Sequence, residues 1–263
     1  MTTCHVKTAA IIAGALVLAA CAPRTRVLPV SADPPLRVAV TPNIPPMIFK
    51  QNGELVGVEA DLARRLAHEL GREVQFVEVG WEDLIPALLQ KRADVIMSAM
   101  TITAERQVRI AFGSPYLDSG LMAMMPTSKR DKYETPEAVI DTSADVGVRR
   151  GTTGEAFVRG RFAKADPVTY LDHQDAVFDL KRGRIDLYVD DAPLIVWLAS
   201  ENEADTALLD DPLVREPLGW GMRLEDVDLR AAVDGTLRRW KSDGTLALVL
   251  RRWLPYWPGL DDY

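Results

Sequence analysis

From Leu36 onward, short apolar runs alternate with longer stretches of helical periodicity, and this alternation limits the fold more than any other feature. Leu36–Val40 reads as a strand. A turn at 53–57 leads into a helix through Leu70, with Leu62, Leu66 and Leu70 on one face and Gly71 as the stop. Residues 73–79 alternate as a strand, 81–90 repeat as a helix, and 95–97 form the next strand. Such a βαβαβ order implies parallel strands with helical crossovers. Residues 112–116 read as a loop and 120–125 as a strand. A second series follows: strands at 146–148, 168–171 and 185–189, with helices at 153–162, 174–181 and 192–199. After Gly219 the chain returns to a strand and two amphipathic helices, 229–241 and 246–253. Two α/β units joined by two extended segments imply two lobes with a cleft between them.

The run from Asp94 to Arg106 carries the first chemical signal. It passes from an apolar strand through small polar residues into a helix capped by Thr103. Such a junction exposes backbone N–H groups at a positive helix end, and Arg106 adds a planar fork of donors. Together they suit a small carboxylate. An ordinary strand-to-helix loop with a solvated arginine is the other reading of the same residues.

Composition closes several alternatives. A net charge of −7 over 263 residues argues against nucleic acid as a partner. Cys4 and Cys21 both lie near the N-terminus, so the body holds neither a disulfide nor a cysteine metal site. His5, His68 and His173 are too scattered to form a metal cluster, and no cofactor motif is present. Residues 1–21 read as an export signal: Lys7 precedes an apolar stretch from Ala9 to Ala20 that is shorter than a membrane span. The sequence Leu18-Ala19-Ala20-Cys21 resembles a bacterial lipobox, which implies cleavage before Cys21 and its modification with lipid, palmitate included. Residues 22–35, with prolines at 23, 29, 34 and 35, read as an extended tether.

Several motifs in order carry a wider resemblance. They are Gly53-Glu54-Leu55-Val56-Gly57 with Asp61-Leu62-Ala63, Trp81 to Leu88, Met100 to Arg106, and Phe112-Gly113-Ser114-Pro115-Tyr116 with Ser119-Gly120. In the second series come Val146-Gly147-Val148 with Gly151-Thr152-Thr153, and Gly183-Arg184-Ile185-Asp186 with Asp190-Asp191. Lys241 to Leu246 and Arg252-Trp253 complete the set. This order resembles the polar-amino-acid family of periplasmic binding proteins that serve ABC importers. The resemblance implies an α/β fold of two lobes, each a mostly parallel sheet flanked by helices. It also implies two crossing strands between the lobes, with the ligand in the cleft. On this reading, residues 36–119 with 220–263 make lobe one, and 120–219 make lobe two.

The resemblance also implies roles. Arg106 would grip a ligand α-carboxylate, with Thr101, Thr153 and Thr152 as further donors. Asp191 would take the α-ammonium, aided by the carbonyl of Ala99. Trp81 and Ile44 would wall the side chain. Each position has a plainer reading. Thr152 and Glu155 fit a capping box, Asp191 with Pro193 fits a helix start, Trp81 fits a helix anchor, and Ile44 fits the core. The family often has an aromatic at Ile44 and an acid or polar group at Thr41. The side-chain end therefore offers Thr41, Arg149 and Asp190, either as an Arg149–Asp190 bridge or as readout of a polar ligand.

The function expected from these residues is capture of an amino acid or related small carboxylate outside the cytoplasm and its delivery to an ABC importer permease. The expected form is a lipid-anchored monomer in the periplasm or cell envelope, and not an enzyme. Two alternatives stand beside it. One is a cyclohexadienyl-type dehydratase on the same fold, for which Asp190 would be the general acid. The other is a sensor acting through an envelope partner.

Overall fold

The computed structural model describes residues 1–2 and 34–257. The expected export signal apart from its first two residues, Cys21, and the expected tether apart from its last two residues lie outside the described residues.

In the first half the elements are β1 (Leu36–Val40), β2 (Asn43–Ile44), β3 (Ile48–Gln51), β4 (Glu54–Val56), α1 (Val58–Glu69) and β5 (Val74–Glu78). A 3-10 turn, Trp81–Asp83, runs into α2 (Leu84–Leu89), followed by β6 (Val95–Ile96), α3 (Ala104–Gln107) and β7 (Ala111–Phe112). The chain then enters β8 (Leu117–Pro126), α4 (Pro136–Ile140), β9 (Val146–Arg149), α5 (Thr153–Arg161) and β10 (Pro167–Tyr170). Next come α6 (His173–Lys181), β11 (Leu187–Asp191), α7 (Ala192–Glu201), β12 (Thr206–Leu208) and β13 (Val214–Leu218). It finishes with β14 (Gly221–Met222), α8 (Val227–Ser242) and α9 (Thr245–Trp253).

Two sheets organise these elements into two lobes. The first has the order β5-β1-β6-β14-β7, with β1 parallel to both neighbours. The central strands are mainly apolar, as Val38, Val40, Val95 and Ile96 show. Helices α8 and α9 come back to pack on α1 of this lobe, although they lie at the other end of the chain. The second sheet runs β10-β9-β11-β8-β12, with β13 added on β8. Its core is Val146, Val148, Leu187 and Val189 against Val158 and Phe162. Strands β8 and β13 carry the chain between the lobes as an antiparallel pair, from Leu117 opposite Leu218 to Leu121 opposite Val214.

The alternation of helix and strand therefore sets the architecture, and three local expectations change. Residues 53–57 are not a bare turn into a helix: β2, β3 and β4 form a small antiparallel sheet. Asn52 and Gly53 both have positive φ, 52° and 83°, which is the two-residue hairpin geometry. Residues 112–116 are not all loop, because β7 takes Phe112 into the first sheet beside β14. The strand expected at 185–189 is shifted to Leu187–Asp191, which puts Asp190 and Asp191 on the strand itself.

Close approach of the crossing strands fixes one residue type. A Cβ on Gly120 would collide with the backbone carbonyl of Val214, which faces it across the β8–β13 pair. Gly120→Ala should therefore force these strands apart. The expected cost is about 1–3 kcal/mol of unfolding free energy, measured by urea denaturation. An unchanged midpoint would show that the pair has slack.

Candidate functional site

The cleft is lined from the ends of strands, where side chains leave the sheet with their backbones held rigidly. On lobe one, Thr103 caps α3 and accepts from the Arg106 N–H at 3.2 Å, so the first turn of this helix has a fixed start. Arg106 then folds back and donates from Nη1 to the Thr101 carbonyl at 2.8 Å. Its guanidinium carbon lies 5.3 Å from the centre of the Trp81 ring. Among the described residues Arg106 makes no ion pair, and burial pushes its pKa below the usual range.

On lobe two, the Thr152 hydroxyl accepts from the Glu155 N–H at 3.4 Å and donates to the Arg149 carbonyl at 2.7 Å. The Glu155 carboxylate in turn takes the Gly151 N–H at 2.8 Å. The plainer reading of Thr152 thus holds for its hydroxyl, which is committed to the start of α5. Thr153 is the one turned to the cleft: its Oγ1 lies 3.5 Å from the Thr101 Oγ1 on the opposite lobe.

Asp190 and Asp191 are adjacent yet chemically opposite. Asp190 is saturated. It accepts from Arg149 Nε at 2.5 Å and Nη2 at 2.8 Å, from the Tyr188 hydroxyl at 2.6 Å and from the Asp191 N–H at 2.8 Å. Arg149 and Asp190 are only 4% and 1% exposed, so the pair is a buried bidentate bridge. Although burial works the other way, Arg149 holds the Asp190 carboxyl below the usual carboxylate range. Bound on both oxygens by Arg149, Asp190 is committed to a salt bridge and is poorly suited to act as the acid of a dehydratase.

Asp191 sits at the start of α7, but its side chain makes no capping hydrogen bond. Burial first, and then the neighbouring Asp190 charge, push its carboxyl up to about 7. Arg149 and Arg106 pull the other way, and Arg149 Nη2 stays 3.8 Å from it.

The remaining candidates divide. Trp81 crosses the cleft, donating from Nε1 to the Gly151 carbonyl at 2.9 Å, and Arg149 lies 5.8 Å from its ring centre. Thr41 donates from its hydroxyl to the Val79 carbonyl at 3.1 Å and from its N–H to Ser98 Oγ at 2.9 Å. Ile44 has no exposed surface and packs in the core of lobe one. Ala99 has φ 52°, a left-handed conformation that turns the chain between β6 and Thr101. At the lips of the cleft, Arg150 pairs with Glu82 at 2.9 Å, and Asn43 donates to Asp172 at 3.2 Å.

One residue of the cleft escaped the sequence reading. Glu216, on β13, has a buried carboxylate oxygen without a partner. Burial raises its pKa, while the Thr153 hydroxyl and Arg106 oppose that shift. Nothing local in the sequence marks Glu216, because its neighbours come from α3 and α5, far away in the chain. Among the described residues no group of histidines, cysteines and acids has the arrangement of a metal site. No helix of the described residues is long and apolar enough to cross a membrane.

Two α/β lobes, two crossing strands and a cleft with Arg106 and Asp191 on opposite sides define a solute-binding protein of the periplasmic-binding-protein fold. The chain belongs to the bacterial extracellular solute-binding proteins, family 3, whose family model matches residues 36–256. It is similar to ABC transporter arginine-binding protein 1 of Escherichia coli K12, at 29% identity over 86% of this chain and 93% of that one. The histidine-binding periplasmic protein of the same strain is 31% identical over 84% of this chain and 88% of its own. Among solved structures, a putative ABC-transporter binding component from Wolinella succinogenes complexed with lysine has a TM-score of 0.80. Its identity is 27%, over 86% of this chain and 98% of that one. An ancestral amino-acid-binding protein, described as a precursor of cyclohexadienyl dehydratase, has a TM-score of 0.77. Its identity is 33%, over 83% of this chain and 94% of that one.

The position of Asp191 makes stability depend on pH. Its folded pKa, about 7, lies well above the ordinary aspartate value of about 4. The folded state therefore holds this proton more tightly than the unfolded chain does. Stabilisation from this group is complete below about pH 4 and is lost as the pH rises towards 7. In Asp191→Asn the ligand-free thermal midpoint should fall less between pH 5 and pH 8 than in the wild type. Equal slopes would show that Asp191 titrates normally.

Proposed function

We propose that this protein captures an amino acid outside the cytoplasm and delivers it to an ABC importer by closing its lobes over the ligand. The observation that carries this reading is a pair of opposite charges facing each other across the cleft: Arg106 on lobe one, which makes no ion pair among the described residues, and Asp191 on lobe two, which has only a 3.8 Å share of the Arg149 guanidinium that Asp190 holds. A zwitterion leaving water must have both its charges compensated, and a cleft that offers one fixed cation and one fixed anion does this. Arg106, with Thr101 and Thr153, takes the carboxylate. Asp191, with the Ala99 carbonyl, takes the ammonium. Trp81 covers the side chain from one edge of the cleft. Hinge motion on the crossing strands, with Trp81–Gly151 and Arg150–Glu82 as contacts between the lips, accounts for capture and release.

Relatives that bind arginine and histidine support an amino acid as the ligand class. Within that class, the Arg149–Asp190 bridge favours a small or neutral polar side chain, because the two charges nearest the side-chain end cancel each other. The remaining parts of the reading are a location in the periplasm, a permease partner, a lipid on Cys21 and a monomeric state. Residues 36–119 with 220–263 would form one lobe and 120–219 the other.

A calorimetric panel of the twenty standard amino acids and cystine tests this function. Arg106→Ala should fold and lose about 2–5 kcal/mol of binding to the preferred ligand, since it strands a buried carboxylate. Wild-type affinity in folded Arg106→Ala would remove that residue from the site. The ammonium needs ionised Asp191, so affinity should fall about tenfold per pH unit as the pH drops below about 7. Flat affinity from pH 5 to pH 8 would contradict this role. Selective binding of arginine or lysine that collapses in Asp190→Asn would overturn the neutral side-chain preference.

A further inference from the structure

Glu59, in the first turn of α1, takes no part in the clamp just described, yet it is fully buried. A carboxyl in the interior without a cation is costly unless hydrogen bonds compensate it. The groups that act on Glu59 are all uncharged donors: the Ala99 N–H, the Tyr116 hydroxyl and the Trp220 indole. Oε2 accepts from the Ala99 N–H at 2.6 Å. Oε1 and Trp220 Nε1 lack a full hydrogen bond.

The three donors come from three places that matter to the cleft. Ala99 is the left-handed residue of the turn that carries Thr101. Tyr116 immediately precedes β8, and Trp220 follows β13 by two residues, so both stand where the crossing strands enter lobe one. Their rings stack at 5.3 Å, and the Tyr116 N–H donates to the Leu218 carbonyl at 3.0 Å. The turn is stitched to the same strand end: Ile102 N–H donates to Pro217 O at 2.9 Å, and Gly219 N–H to Met100 O at 3.0 Å. An alanine resists positive φ because its Cβ crowds the backbone, so an external acceptor is needed to hold it there.

We propose that Glu59 is a positioning residue of the cleft, holding the Ser98–Thr101 turn in its left-handed geometry where that turn is bonded to the lobe-one end of β13. Ligand affinity then depends on a carboxyl that the ligand does not touch. This inference rests on the amino-acid-binding reading for its functional consequence, but its central contact is observable without any ligand. Burial pushes the Glu59 carboxyl up to about 7, against the pull of its donors, so the contact can be followed by titration.

The test is amide NMR of the full ligand-free chain from pH 5.5 to 8.5, for wild type and Glu59→Gln, followed by calorimetry of both against the twenty standard amino acids and cystine. The Ala99 amide proton of the wild type should resonate downfield and titrate near neutral pH, and Glu59→Gln should abolish that titration. The preferred amino acid should bind Glu59→Gln about tenfold more weakly, in line with a hydrogen bond to a charged group. Glu59→Ala should bind more weakly still; if it does not fold, the glutamine variant decides. An Ala99 amide that does not titrate and is unmoved by Glu59→Gln would overturn the proposal. So would a Glu59→Gln protein with a shifted amide and wild-type affinity. A wild type that binds nothing in the panel would refute the amino-acid reading and this inference with it, whereas a wild type that binds beside an unaffected variant refutes this inference alone.

Discussion

The buried bridge between Arg149 and Asp190 governs the electrostatics of the cleft. Two charges taken out of water cost several kcal/mol each, and only close, bidentate geometry with further donors offsets this. Here Tyr188 and the Asp191 N–H fill the remaining positions on Asp190. Because Asp190 takes most of the arginine, Asp191 next to it is left with one distant cation and a like charge beside it. The same acidic pair thus yields one inert carboxylate and one responsive carboxylate. That division follows from which oxygen reaches Arg149, and residue type alone does not predict it.

The crossing strands convert this local chemistry into a two-lobed device. Strand β13 contributes Glu216 to the cleft, and its end contacts the Thr101 segment through the Thr101–Leu218 bridge. Strand β8 begins beside Tyr116 and continues into the second sheet, where β11 pairs along it with Asp191 opposite Leu121. A change in strand geometry therefore acts on the Thr101–Arg106 side and the Asp191 side of the cleft together. Such coupling is what the proposed hinge closure requires, because a ligand shifts the open–closed balance only by its differential contacts with the two states.

Much of this was legible in the sequence because it is written in local periodicity. Strand β1 begins and ends at Leu36 and Val40 as read, and Thr103 caps the helix that carries Arg106. The β2–β4 sheet was less legible, although Asn52-Gly53 is a strong hairpin signal, because its three strands are only two to four residues long and show no clear alternation. Gly57 has its own reason: a Cβ there would come within 2.5 Å of the Met47 carbonyl. The site was legible only in part. The capping box at Thr152 and the buried place of Ile44 emerged as the plainer of the two readings of each. The pairing of Arg149 with Asp190 stood as one of two options until their side chains were located. Glu59 and Glu216 left no trace, since their partners lie about 40 to over 100 residues away in sequence and no periodicity marks such a meeting.

The central claim is that opposite charges on the two lobes recognise a zwitterion, and chemical editing of the ligand tests it most directly. The preferred amino acid should be compared by calorimetry with its carboxamide, which lacks the carboxylate, and its hydroxy-acid analogue, which lacks the ammonium. Each edit strands one buried partner, so each should weaken binding by about thirtyfold or more at pH 8, where Asp191 is ionised. Binding of either analogue as tight as that of the parent would show that Arg106 or Asp191 has no such ligand group to meet, and would contradict the account.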